Sequence, residues 1–162
     1  MLAMQPGGTG AAYAAMTLRT NGRPLFVHGV FARNNADHEY GVPTLLDCAD
    51  GNCTRGAPRV LDATERDLRV IRMATRPNGR NLITWGEAGG TKTLYLYQCA
   101  NRDCSMGRIT ATLPNVDVDY GLAMRDDGIA VIAFRLSASG TVKLAFCGLP
   151  HDLIFANDFE VP

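Results

Sequence analysis

The side chains best suited to chemistry in this chain are its five cysteines. Cys48 and Cys53 are spaced C-x4-C, and so are Cys99 and Cys104. Two thiols flanking a tight antiparallel turn can face each other at disulfide distance. Closing so short a loop stabilises the fold by about 2 kcal/mol on chain-entropy grounds. The alternative is a zinc site made from all four thiolates, which requires two pairs on separate units to converge. The same pair recurs at the same place in two sequence repeats, which favours two local disulfides. Disulfides imply an oxidising compartment. Cys147 matches the first cysteine of each pair, but its partner position holds Asp152. It is therefore expected to be a buried or unpaired thiol.

Other candidate groups are weaker. His28, Asp37, His38 and Glu39 lie close in sequence and invite a metal or acid–base reading. However, His28 occupies the repeat position of Trp85 and Phe134, which makes it a packing position. Asp37, His38 and Glu39 fall on an inserted segment expected to be solvated. Asp117 and Asp119 offer oxygens to a hard cation, but two carboxylates are expected to form only a solvated turn. Trp85, Tyr95 and Tyr97 could stack on a sugar, with core packing the default expectation. Ser105, Ser137 and Ser139 sit in no nucleophile motif. No catalytic residue, metal ligand or cofactor is assigned from the sequence.

These groups are positioned by a repeat about 50 residues long. Asn21-Gly22-Arg23, Asn78-Gly79-Arg80 and Asp127-Gly128-Ile129 place turn glycines 57 and then 49 residues apart. Asn-Gly and Asp-Gly between apolar runs mark hairpins, because both residues tolerate the positive φ that such turns need. Each turn is preceded by a strand-like run: Ala15–Leu18, Val70–Met73 and Tyr120–Met124. Each is followed by an apolar one: Pro24–His28, Asn81–Trp85 and Ala130–Phe134. A third strand ends at Cys48, Cys99 or Cys147, each with a leucine three residues earlier. Fourth strands are expected near Arg59–Ala63 and Ile109–Leu113, whereas the third copy breaks off first. Turn glycine and cysteine lie 26, 20 and 19 residues apart, so the first copy carries an insertion within Phe31–Tyr40. Insertions of this kind usually map to surface loops.

The predicted fold class is therefore all-β, with about three four-stranded antiparallel units resembling propeller blades. Their second strands are apolar at nearly every position and are expected to be buried on both faces. The predicted organisation is a flexible segment over 1–11, repeats over about 12–67, 68–119 and 120–153, and a tail over 154–162.

Composition narrows the partners. Lys+Arg equals Asp+Glu at 16 each, which lacks the basic excess of a nucleic-acid binder. The cations are nonetheless lopsided: 14 are arginine, and only Lys92 and Lys143 are lysine. This reflects either genome composition or arginines that hold carboxylates or sugars. Apolar runs such as Ile129–Phe134 are far short of the ~20 residues of a spanning helix. The first residues, Met1 to Gly8, lack the basic start and apolar core of a signal peptide.

The order strand, Asx-Gly, Leu/Val-rich strand, Leu-x-x-Cys-x4-Cys resembles repeats of secreted bacterial proteins with sialidase-like or BNR-like propeller folds. Asp127–Phe134 and Val142–Cys147 carry the resemblance most closely, and it covers roughly residues 12–149. The ending Ile154–Glu160 is similar to the I-F-A-D-G-F-E tails of exported bacterial proteins, with Asn157-Asp158 where Asp-Gly is usual. The resemblance implies an exported protein. No sialidase catalytic residue maps onto this sequence, and the S-x-D-x-G-x-x-W box is absent. The expected role is binding or scaffolding outside the cell, with a glycan or a protein as ligand. A fragment of a sialidase-like glycoside hydrolase is the alternative. Three blades are too few to close a propeller. Further blades of a longer chain, or a homodimer, are expected to complete it.

Overall fold

Each repeat begins at the same turn. The Gly22 amide donates to the Arg19 carbonyl at 2.8 Å, and the Arg19 amide to the Arg23 carbonyl at 2.9 Å. Arg76–Arg80 and Arg125–Ile129 repeat both bonds at 2.8–2.9 Å. Gly22, Gly79 and Gly128 have φ of 74°, 80° and 82°. The Asx oxygens of Asn21, Asn78 and Asp127 accept from the amide two residues on, at 3.0–3.1 Å. This is a three-residue loop closed by a left-handed glycine. The Asx residue therefore needs no positive φ here, contrary to the simplest Asn-Gly reading. Its side chain braces an ordinary backbone turn instead.

The computed structural model describes residues 13–33, 39–148 and 153–159. Among them there is no helix. Sheet 1 contains β1 (Ala14–Leu18), β2 (Pro24–Arg33), β3 (Glu39–Cys48) and β4 (Gly56–Val60). Sheet 2 contains β5 (Leu68–Thr75), β6 (Asn81–Glu87), β7 (Leu94–Cys99) and β8 (Gly107–Leu113). Sheet 3 contains β9 (Val116–Met124), β10 (Ala130–Leu136), β11 (Val142–Cys147) and β12 (Leu153–Phe159). All neighbours pair antiparallel in chain order. The expected segment 1–11 lies outside the described residues.

Three expectations need correction. The third copy does not break off: β12 pairs with β11, from Cys147↔Leu153 to Val142↔Phe159. The tail thus supplies the fourth strand. In the first copy the fourth strand is Gly56–Val60 rather than Arg59–Ala63, because its register starts at Cys48↔Gly56, next to the cysteine. The insertion is not simply a loop. It lengthens the β2–β3 hairpin, which stays in register out to Arg33↔Glu39.

The sheets meet face to face through two cores that share sheet 2. Strand geometry sends alternate residues to opposite faces. Ile83 and Trp85 of β6, with Tyr95, Tyr97 and Cys99 of β7, join Leu25, Val27 and Leu45 of sheet 1. Leu82, Leu94 and Leu96 join Ala130, Ile132, Phe134, Ala145 and Cys147 of sheet 3. Asn81 to Gly86 are consequently all buried. β10 alternates between buried and more exposed positions, so its second face is not closed as that of β6 is. The first strands lie closest together, with β5 against both β1 and β9.

Polar bonds also cross between sheets. The Thr17 and Thr75 hydroxyls are 2.8 Å apart. β5 bulges at Val70, whose φ is 31°. Its carbonyl accepts a 2.6 Å bond from the Tyr120 hydroxyl of sheet 3. Burial raises the Tyr120 pKa well above its ordinary value, so the hydroxyl stays a donor. Arg76 donates to the carbonyls of Gly128 at 2.9 Å and Gly148 at 3.3 Å.

Candidate functional site

The cysteine pairs bond within themselves. Cys48–Cys53 and Cys99–Cys104 are disulfides with Cα atoms 4.8 and 4.7 Å apart. Their thiols are used locally, and the zinc alternative falls. The two loops are more alike than the cysteine spacing alone reveals. They read Cys-Ala-Asp-Gly-Asn-Cys-Thr-Arg-Gly and Cys-Ala-Asn-Arg-Asp-Cys-Ser-Met-Gly. Cys53 and Cys104 each adopt a φ of 52°. Ala49 and Ala100 donate to the carbonyls of Arg55 and Met106 at 2.9 and 2.8 Å. The Asx and Thr/Ser positions tie the loops together. Asp50 accepts from the Thr54 hydroxyl at 2.5 Å and amide at 2.9 Å, and these hold its carboxyl below the ordinary range. The closing glycines are sterically required. A Cβ on Gly107 would lie 2.5 Å from the Tyr97 ring and 2.7 Å from the Gln98 carbonyl oxygen. One on Gly56 would lie 2.7 Å from Leu46.

Cys147 is free and buried against the sheet 2–sheet 3 core. Burial pushes its thiol up to about 11. Its lost partner position, Asp152, is outside the described residues.

The remaining candidates separate. His28 is half-buried on the face of sheet 1 turned away from sheet 2. Asp37 and His38 are outside the described residues, while Glu39 begins β3 opposite Arg33. Asp117 and Asp119 lie in strand β9 rather than in a turn. Asp117 pairs with Arg135 across to β10. No group of three or more His, Cys, Asp or Glu among the described residues could hold a metal. Trp85 is fully buried and stacks on Tyr95 at 5.9 Å, with Tyr97 tilted against it at 6.1 Å. These rings pack the core. Ser105 accepts from the Asn101 side-chain amide at 2.6 Å, Ser139 bonds Thr141 at 2.8 Å, and Ser137 bonds the Asn115 carbonyl at 3.2 Å. All three hydroxyls serve loop geometry.

Two polar assemblies escaped sequence reasoning. The first sits where sheets 1 and 2 join. Arg66 donates twice to Asp62 at 3.1 Å, once to Glu87 at 3.3 Å and once to the Tyr95 hydroxyl at 2.6 Å. The Tyr95 hydroxyl in turn donates to Glu87 at 2.6 Å. The Arg66 backbone pairs with Gly41 of sheet 1. Burial pushes the Asp62 carboxyl up, but bonds from Thr64 and Arg66 outweigh this and hold it low. Arg66 thus clasps both carboxylates at this junction.

The second assembly is a shallow groove of about 400 Å³ at the end of sheet 1. Arg19, Arg23 and Arg55 line it with the single carboxylate of Asp47, beside the Cys48 bridge. Arg19 pairs with Asp47 at 2.8 Å. The Arg19 Nε is buried without a hydrogen-bond partner among the described residues. Asp103 and Asp50 also lie within electrostatic reach of Arg19 and Arg55, so Arg23 is the guanidinium of the groove with no carboxylate paired to it among the described residues, and guanidinium suits planar anions. The arginine three residues before each turn glycine, at 19, 76 and 125, was the available sequence signal.

No family model matches the chain, and no solved structure matches it. A phosphoglucosamine mutase of Deinococcus deserti is 35% identical over 74 residues. That match spans 46% of this chain and 16% of the enzyme. A match to so small a share of the enzyme transfers nothing of its activity to this chain.

Proposed function

We propose that this chain is an exported, propeller-type repeat protein that binds an anionic ligand, a carboxylated glycan or an acidic protein segment, at the rim of sheet 1. The observation that carries the reading is the arginine-lined groove, with its buried, unpartnered Arg19 Nε. The two disulfides support an oxidising compartment. Like-ordered antiparallel sheets, stacked face to face with their first strands together, support the blade arrangement. The hydrolase alternative gains nothing from the carboxylates that converge, because Asp62 and Glu87 share Arg66.

A panel of carboxylated, sulfated and neutral oligosaccharides, together with acidic peptides, tests the proposal by calorimetry. Binding confined to anionic members is expected, with Arg23→Ala plus Arg55→Ala weakening it about tenfold or more. Equal binding of neutral glycans, or binding unchanged in the double variant, would sink it.

A further inference from the structure

The two outermost sheet faces are unmatched halves of a contact that the chain already makes twice. Along each second strand, residues at odd offsets from the turn glycine face the following sheet. Leu25 and Val27 do so toward sheet 2, and Leu82 toward sheet 3. Even offsets face the preceding sheet, as Ile83 and Trp85 do toward sheet 1, and Ile132 and Phe134 toward sheet 2. By the same rule, Val131 and Ala133 of sheet 3 point where a following sheet would lie. Ala133 is exposed there, as is Ala123, the partner of Val131 on β9.

Sheet 1 carries the opposite half. Met16, Leu18 and Val60 are 54%, 59% and 51% exposed. Strand register places all three on the face turned away from sheet 2. Three of the four exposed large hydrophobic residues among the described residues therefore gather on one sheet face. A polar contact marks one of the two internal junctions, that of sheets 2 and 3, while Arg19 at the same position in sheet 1 pairs with Asp47 instead. Arg76 of sheet 2 reaches the Gly128 carbonyl in the turn of the following sheet. Arg125 holds the same repeat position in sheet 3. It is 55% exposed and pairs at 2.7 Å with Asp127 of its own turn.

We propose that a second copy of this chain covers both faces, with sheet 3 of each copy packed on sheet 1 of the other. Arg125 of one copy would then reach the Gly22 carbonyl of the other. The occupant is a second copy because one chain carries both halves, and they match by the register it uses internally. This rests on reading the sheets as propeller-type blades, since two such contacts close six sheets into a ring.

Sedimentation equilibrium of the 162-residue chain should give twice its mass of 17.5 kDa. Met16→Glu with Leu18→Glu blocks one half, and Ala123→Glu with Ala133→Glu blocks the other. All four positions are exposed in the single chain, so each variant should keep its circular dichroism spectrum. Each should dimerise about 100-fold more weakly or worse, because a charge would be buried unpaired. Mixing the two variants should restore a one-to-one dimer, since one contact is then intact. A monomeric parent chain, or an Ala123/Ala133 variant that still dimerises by itself, would overturn the proposal. Anion binding by the Ala123/Ala133 variant reports on the groove separately, so either reading can fail without the other.

Discussion

Sheets 2 and 3 share strand order, turn chemistry and a cysteine at the end of the third strand, yet they differ in how their strands are buried. Asn81 to Gly86 are buried on both faces of β6, whereas in β10 Ala133 is exposed between buried neighbours and Arg135 is exposed as well. The apolar sequence Ala130-Val131-Ile132-Ala133-Phe134 does not by itself cause two-sided burial. The neighbours on either side decide it, and sheet 3 has only one. The cysteines differ in parallel. Cys99 joins Cys104 across a turn, while Cys147, opposite Ala130, is free within the sheet 2–sheet 3 core.

The largest effect expected from this contrast concerns one position on a closed face and one on an open face of the second strands. Ile83→Ala removes side-chain volume from a closed core and should cost about 2–5 kcal/mol. Val131→Ala, on the open face of sheet 3, should cost under about 1.5 kcal/mol. Urea denaturation of both variants decides the matter, because equal losses would mean that the two faces are equally closed. Repeating the measurement under conditions where the chain self-associates should raise the Val131 cost toward the Ile83 value.

The next effect tests the sulfur chemistry. Cys99→Ser with Cys104→Ser should lower stability by about 2 kcal/mol, the entropic value of closing so short a loop. Reduction of the parent chain should lower it further, because both bridges open. Cys147→Ala, which keeps both bridges, should show the same drop on reduction as the parent chain and should otherwise change the midpoint only through lost packing. A drop on reduction that disappears in Cys147→Ala would show that the third cysteine, not the bridges, carries the redox response.

Much of the sheet architecture was legible in the sequence because it is local. Turn glycines, the apolar runs after them and the leucine before each cysteine lie within a few residues of one another. Strand pairing then follows the chain order. The errors arose where the cause was not local or not apolar. β12 follows a cysteine with no partner, so the repeat pattern that marked the other fourth strands was missing. The positive φ expected of both turn residues falls on the glycine alone, because the loop between Arg19 and Arg23 holds three residues and its Asx side chain only braces it. The clasp of Asp62, Arg66, Glu87 and Tyr95 joins residues up to 29 apart, and no spacing rule predicts it. The arginine groove is intermediate. Its arginine at the turn recurs three times, but Arg55 reaches it only through the disulfide loop.

The smallest effect sharpens the difference between the two kinds of cysteine through pH. Burial raises the Cys147 thiol to about 11, against an ordinary value of 9.0. The folded state therefore keeps this proton at a pH where the unfolded state has lost it. Linkage then fixes the sign: the contribution is fully present below pH 9 and is lost as pH rises toward 11. The informative quantity is the difference between parent and Cys147→Ala, which isolates the thiol from every other group. That difference should shrink or reverse above pH 9, by no more than about 3 kcal/mol. The thiolate is also the reactive form. Alkylation of the native chain by iodoacetamide should accordingly stay slow at pH 8 and accelerate only as the fold opens. Rapid labelling of native Cys147 at neutral pH would place its sulfur at the surface rather than between sheets 2 and 3.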